Sequence, residues 1–123
     1  RTRRVTWVTG RRKDSWLFLR MLDRLVWAYK DKTVIHVILD NYVIHRSRTV
    51  QKALYGWNGR IVLHFLPPYC PDDNKIERGV WREVHANVTR NHRCAKMDEL
   101  KAGVSRYLDA HNRRTATAAK KAA

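Results

Sequence analysis

The sequence predicts an α/β fold, with strands joined by helical crossovers. Three observations carry that expectation. Residues 34–39 (VIHVIL) and 61–66 (IVLHFL) are short, nearly continuous apolar runs rich in β-branched residues, the pattern of strands covered on both faces. The segments around them place apolar residues at helical spacing, as in Phe18, Met21, Leu22, Leu25 and Tyr29. Turn-forming residues punctuate the boundaries, with Gly56 and Gly59 before the second run and Pro67 and Pro68 after it.

In chain order, residues 5–9 are β-prone and Gly10 ends them. Ser15 is the expected N-cap of the first helix. After the strand over 34–39, Ser47 opens a shorter helix with Val50, Leu54 and Trp57 facing inward. The strand over 61–66 runs into Pro67, Pro68 and Tyr69, and prolines cannot continue a sheet interior because they lack the N–H. Asn74 begins a long helix carrying Ile76, Val80, Trp81, Val84 and Val88. A last helix over about 97–111 carries Leu100, Val104, Tyr107 and Leu108. Residues 113–123 hold Ala, Thr, Lys and Arg without apolar periodicity and read as a disordered basic tail. Trp7, Trp16, Trp27 and Trp57 are expected to pack, and His36 and His64 to be core or edge residues of strands. With no internal repeat or low-complexity block, residues 1–112 read as one domain or the larger part of one.

Twenty-six Lys and Arg against eleven Asp and Glu leave a net charge of +15 on 123 residues. Such an excess creates a field that attracts polyanions, nucleic acid first among them. No run of about 18 apolar residues suggests a membrane span, and no segment has the character of a basic interfacial helix. A membrane is therefore not the expected partner. Cys70 and Cys94 match no zinc spacing, although His85 and His92 lie nearby. A reduced intracellular compartment is the default. The chain opens at Arg1 rather than Met, which suggests a piece of something longer.

Two acids stand out. Asp40 follows directly on the VIHVIL run, at its carboxyl end, where open α/β sheets hold their sites; a turn-forming Asp-Asn pair is the other reading. Glu77 falls in the first turn of its helix, three residues after Asn74, which resembles a capping box and suits the helix dipole. Positions 77, 81, 84 and 88 also share one helical stripe, so Glu77 is expected to face the packed side. A charge there needs a partner, and a metal ion is one.

The residues around the acids resemble a known family. ILDNYVIH (residues 38–45) and LPPYCPDDNKIERGVW (residues 66–81) closely resemble the second and third signature blocks of mariner-like DDE transposases of the bacterial insertion-sequence type. HANVTRNHRC (residues 85–94) is also similar to bacterial members. Thirty-six residues separate Asp40 from Glu77, a gap in the range that family uses. Cys70, Asp73 and Lys75 depart from the usual Ser, Leu and Pro, and Gly79 accompanies a one-residue shift of the helix Trp. The resemblance runs over about residues 5–112.

It implies a ribonuclease H-like mixed sheet flanked by helices, here truncated at the N-terminus. It also implies three carboxylates holding two Mg²⁺ or Mn²⁺ ions. Asp40 and Glu77 would be the second and third of these carboxylates, catalytic acids and metal ligands together. Asn41, His45 and Tyr69 would brace those ligands or touch DNA. Apart from the resemblance, Arg46, Arg48, Arg78 and Arg82 flank the two acids and read as phosphate contacts or as solvated surface arginines, and the basic Arg113, Arg114, Lys120 and Lys121 suit tracking of the DNA backbone. Asp14, Asp23 and Asp31 read as loop, mid-helix and turn residues. The first acid and an N-terminal DNA-recognising module are therefore expected outside this stretch. The implied function is DNA transposition, by metal-dependent strand cleavage and transfer in the parent transposase, with this chain inactive alone. The alternatives are a DNA-binding or oligomerisation remnant without chemistry, or a different ribonuclease H-like nuclease. Expected partners are transposon ends, target DNA and a second copy of the chain. The expected location is the bacterial cytoplasm, at the nucleoid.

Overall fold

Helix α1 (Ser15–Ala28) is capped one residue earlier than its sequence suggests: Asp14 accepts the Leu17 N–H at 2.9 Å. Ser15 instead bonds the Ser47 hydroxyl at 2.8 Å. These and the following details come from a computed structural model that describes residues 3–69 and 74–123. Cys70 and Asp73, two of the departures noted above, lie outside the described residues. The chain divides into two compact units, one of Thr6–Asn74 and one of Arg1–Val5 with Lys75–Ala123.

In the Thr6–Asn74 unit, α1 leads to strand β1 (Ile35–Leu39), a 3₁₀ turn (Val43–Arg46), helix α2 (Arg48–Gly56) and strand β2 (Ile61–Phe65). The strands pair in parallel, from Ile35 opposite Ile61 to Leu39 opposite Phe65. A parallel pair needs a crossover between its strands, and α2 supplies it. Ser47 caps α2 as expected, accepting the Val50 N–H at 3.3 Å. Ile35, Leu39, Ile61, Leu22 and Val50 are buried, and each such side chain contributes on the order of 1.5–3 kcal/mol. The strands are not covered on both faces, however. His36, Ile38 and His64 are exposed, and the two imidazoles meet at 2.9 Å on the open face. The helices of this unit cover one face only, which gives β1 its alternating burial. Among the described residues the sheet has these two strands.

The strand expected over residues 5–9 does not form, because its backbone groups bond to side chains instead of a ladder. Arg24 and Arg20 donate to the carbonyls of Trp7 and Thr9. In the other unit, the Asn112 amide holds both the N–H and the C=O of Val5 at 2.8 Å. Trp16 and Trp27, expected to pack, are 68% and 71% exposed. They lie about 160–180° around α1 from its apolar stripe at 100° per residue, so the helical period itself assigns them to the outer side.

The Lys75–Ala123 unit holds helix α3, residues 75–89, and helix α4 (Met97–Ala122). Two turns of α3 are π-helical, Glu77–Trp81 and His85–Thr89, with i→i+5 bonds from Arg82 N–H to the Glu77 carbonyl and from Arg90 N–H to the His85 carbonyl. The wider turns shift the covered row to Val80, Val84 and Val88, of which Val84 is buried. Helix α4 packs its fully buried Leu108 in the same unit and starts with Glu99 accepting the Ala95 N–H at 3.1 Å. It continues through the predicted disordered tail to Ala122. The Ala, Lys and Arg of that segment are strong helix formers even without an apolar stripe. No helix among the described residues is long and apolar enough to cross a membrane.

Candidate metal and DNA site

The last pairing of the sheet sets the backbone beside Asp40: the Leu66 N–H bonds the Leu39 carbonyl at 2.8 Å. Asp40 then leaves β1 with its side chain 60% exposed. Five residues later the 3₁₀ turn brings His45 back. Its Nδ1 lies 3.2 Å from the Asp40 carboxylate Oδ1 and 3.2 Å from the Asp40 carbonyl oxygen. The imidazole is 13% exposed, with the Phe18 ring centroid 4.3 Å away and the Tyr42 ring edge-on at 5.9 Å. With its proton on Nδ1, the ring donates to Asp40 at both points, orients one carboxylate oxygen and leaves the other toward solvent.

The same unit carries Asn41, exposed beside Asp40, and Arg48, exposed in the first turn of α2. The Arg46 guanidinium lies 4.2 Å above the Phe65 ring, a cation–π contact that orients it. Lys13 sits 4.2 Å over the Tyr42 ring. Tyr69 is fully exposed and held at φ +59°, a left-handed conformation that costs a non-glycine residue about 1–3 kcal/mol.

Glu77, Arg78, Arg82, Arg113 and Arg114 belong to the other unit, and all are exposed. Glu77 opens the first π turn, so it falls off the row of Val80, Val84 and Val88. The inward orientation expected from a 3.6-residue period is thus corrected. π turns inside helices are rare and frequent at functional sites. The Arg114 guanidinium lies 5.8 Å over the Tyr107 ring.

The acids before Asp40 have other roles. Asp14 caps α1, and Asp23 sits exposed within it. Asp31 lies 3.0 Å from the Lys32 ammonium, whose hydrogen bond holds its carboxyl below the usual carboxylate range. None of the three stands on a strand. No group of three or more His, Cys, Asp or Glu able to hold a metal forms among the described residues. One residue that pattern reading did not single out is Arg60, which donates to the carbonyls of Val26, Tyr29 and Lys30 at 3.1–3.5 Å and closes the end of α1. Its partners lie some thirty residues away, and no local signal marks them.

The family described as DDE superfamily endonuclease matches residues 1–101. The chain is 37% identical over 108 residues to the insertion element IS630 uncharacterized 39 kDa protein of Shigella sonnei, a match that takes in 88% of this chain and 31% of that relative. The chain therefore spans less than a third of the relative's length. No solved structure matches. The family match takes in most of the chain, including Asp40 at its strand end and Glu77 in its π turn, and on that ground the chain belongs to the DDE superfamily endonucleases.

Proposed function

We propose that this chain is the C-terminal catalytic part of a bacterial insertion-sequence transposase, in which Asp40 and Glu77 supply two of the three carboxylates that hold Mg²⁺ or Mn²⁺ for DNA cleavage and strand transfer. The observation that carries this reading is Asp40 itself: a carboxylate at the end of a parallel strand, open to solvent and braced by a packed histidine. Hard divalent ions take oxygen ligands, and Asp40 and Glu77 are both exposed oxygen donors, so the residues fit the ions. The chemistry supplied by such an ion pair is activation of the attacking oxygen and stabilisation of the leaving one. The chain's own part is positional. His45 holds one oxygen of Asp40, Arg46 and Arg48 meet phosphates beside it, and Arg78 and Arg82 do so beside Glu77. Tyr69, Asn41, Arg113 and Arg114 add DNA contacts.

On this reading the fold of the parent is ribonuclease H-like, with β1, α2 and β2 as one crossover unit of its sheet. The first carboxylate comes from outside these 123 residues, because Asp14, Asp23 and Asp31 are a cap, a helix residue and a turn residue. Self-association of the chain belongs to the same proposal, with Ile38 69% exposed on the open sheet face.

The test is nicking of plasmid DNA by a full-length protein containing these residues. Mg²⁺-dependent nicking is expected from the wild type and should be abolished by Asp40→Ala or Glu77→Ala while DNA binding persists. The 123-residue chain alone should not nick. Retained nicking in full-length Asp40→Ala overturns the proposal, because the cutting site then does not use Asp40. Nicking by the isolated chain, lost on Asp40→Ala, overturns the need for an outside carboxylate.

A further inference from the structure

The outer side of α1 carries a second group of residues. Trp16 and Arg20 are four positions apart and so lie on one face of the helix, opposite the stripe that buries Leu22. Large aromatic side chains normally bury most of their surface and stabilise through it, yet Trp16 is 68% exposed. Beside its indole opens a surface cavity of about 320 Å³, lined by Gly10, Arg11, Arg12, Asp14 and Arg20 along with Trp16. Asp14, the acid of this set, has a carboxylate oxygen engaged by the Leu17 N–H. Arg20 is anchored by its bond to the Thr9 carbonyl at 3.3 Å, which leaves its other N–H groups for an anion. A Cβ on Gly10 would come within 2.8 Å of a Leu17 methyl, so glycine lets the loop that carries Arg11 and Arg12 lie close against α1. A flat aromatic face and a cluster of guanidinium groups thus share one opening.

We propose that this opening is a subsite for an unpaired nucleotide, with the base stacked on Trp16 and the flanking phosphates held by Arg11 and Arg12. A duplex hides the faces of its bases in its own stack, so it gains nothing from an exposed indole. A single strand offers both a base face and a phosphate chain, and stacking of this kind tolerates any base. A phosphate alone would use the arginines and leave the tryptophan idle. The subsite lies away from Asp40 in sequence and role, and it separates recognition of an opened strand from the phosphate contacts of Arg46 and Arg48. It rests on the reading of this chain as a protein that acts on DNA.

The experiment measures binding of the 123-residue chain to three labelled probes by fluorescence anisotropy. One is a thymidine strand of about 12 nucleotides, a length in the range that single-strand sites span. The second has the same length and charge, with stable base-free sugars. The third is a duplex of that length. The wild type should prefer the thymidine strand to the base-free strand on the order of 10-fold. Trp16→Ala should erase that preference and leave duplex binding unchanged. Trp16→Phe, which keeps an aromatic face, should retain part of it. The double change Arg11→Gln and Arg12→Gln should weaken both single strands and lower the salt slope by about 1.4. Duplex binding with an unaltered base preference in Trp16→Ala overturns this inference alone, as does an equal loss on all three probes. A wild type that binds none of them overturns the DNA reading as well.

Discussion

The Nδ1 of His45 meets Asp40 at both its carbonyl and its carboxylate oxygen, and the imidazole is itself packed between Phe18 and Tyr42. A carboxylate held in this way has already lost much of the freedom it would lose on binding an ion. Hydrogen-bond partners of ligands of this type change metal affinity or activity by about 10- to 100-fold when removed. In the full-length protein His45→Ala is therefore expected to raise the Mn²⁺ concentration needed for half-maximal nicking by that factor, with the fold intact by circular dichroism. An unchanged metal requirement would mean that His45 only shapes its own turn. The segment ILDNYVIH made Asp40 and His45 visible as a local group, because five residues and one turn join them. The Asn112 clamp on Val5 was not visible, since its partners are 107 positions apart and no local pattern marks it.

At the scale of elements, α1 depends on a residue outside itself. Arg60, just before β2, donates to three carbonyls at and beyond the end of α1, where the helix dipole leaves partial negative charge. Arg60→Ala should lower stability by about 1–2 kcal/mol, read as a drop in the midpoint of urea denaturation, whereas Arg60→Lys should recover part of the loss. No change in midpoint would show that water serves those carbonyls equally well. Strands β1 and β2 and helices α1 and α2 were legible because apolar runs and a 3.6-residue period report them directly. Helix α3 was legible in place but not in face. Its π turns stretch the period, so the stripe through Glu77 and Trp81 gave way to Val80, Val84 and Val88. Residues 113–122 were misread because periodicity reports packing, and this part of α4 is helical without an apolar stripe.

For the whole molecule, charge is the dominant property, and it predicts how binding behaves. With a net charge of +15 and the phosphate contacts proposed for its arginines, the affinity for duplex DNA should fall steeply with salt. About six contacts correspond to a slope near −5 in log K against log salt. A slope near zero would contradict phosphate contact as the source of affinity. The family could be recognised in sequence because its signature blocks are local strings around Asp40 and Glu77. The division into two units could not, since it depends on which distant segments share a core. Whether Asp40 and Glu77 are metal ligands is decided by calorimetric titration of the 123-residue chain with Mn²⁺. Weak binding of at most one ion is expected, lowered on the order of 10-fold or more by Asp40→Ala and reduced by Glu77→Ala. Mn²⁺ binding that is identical in the wild type and both variants would contradict it.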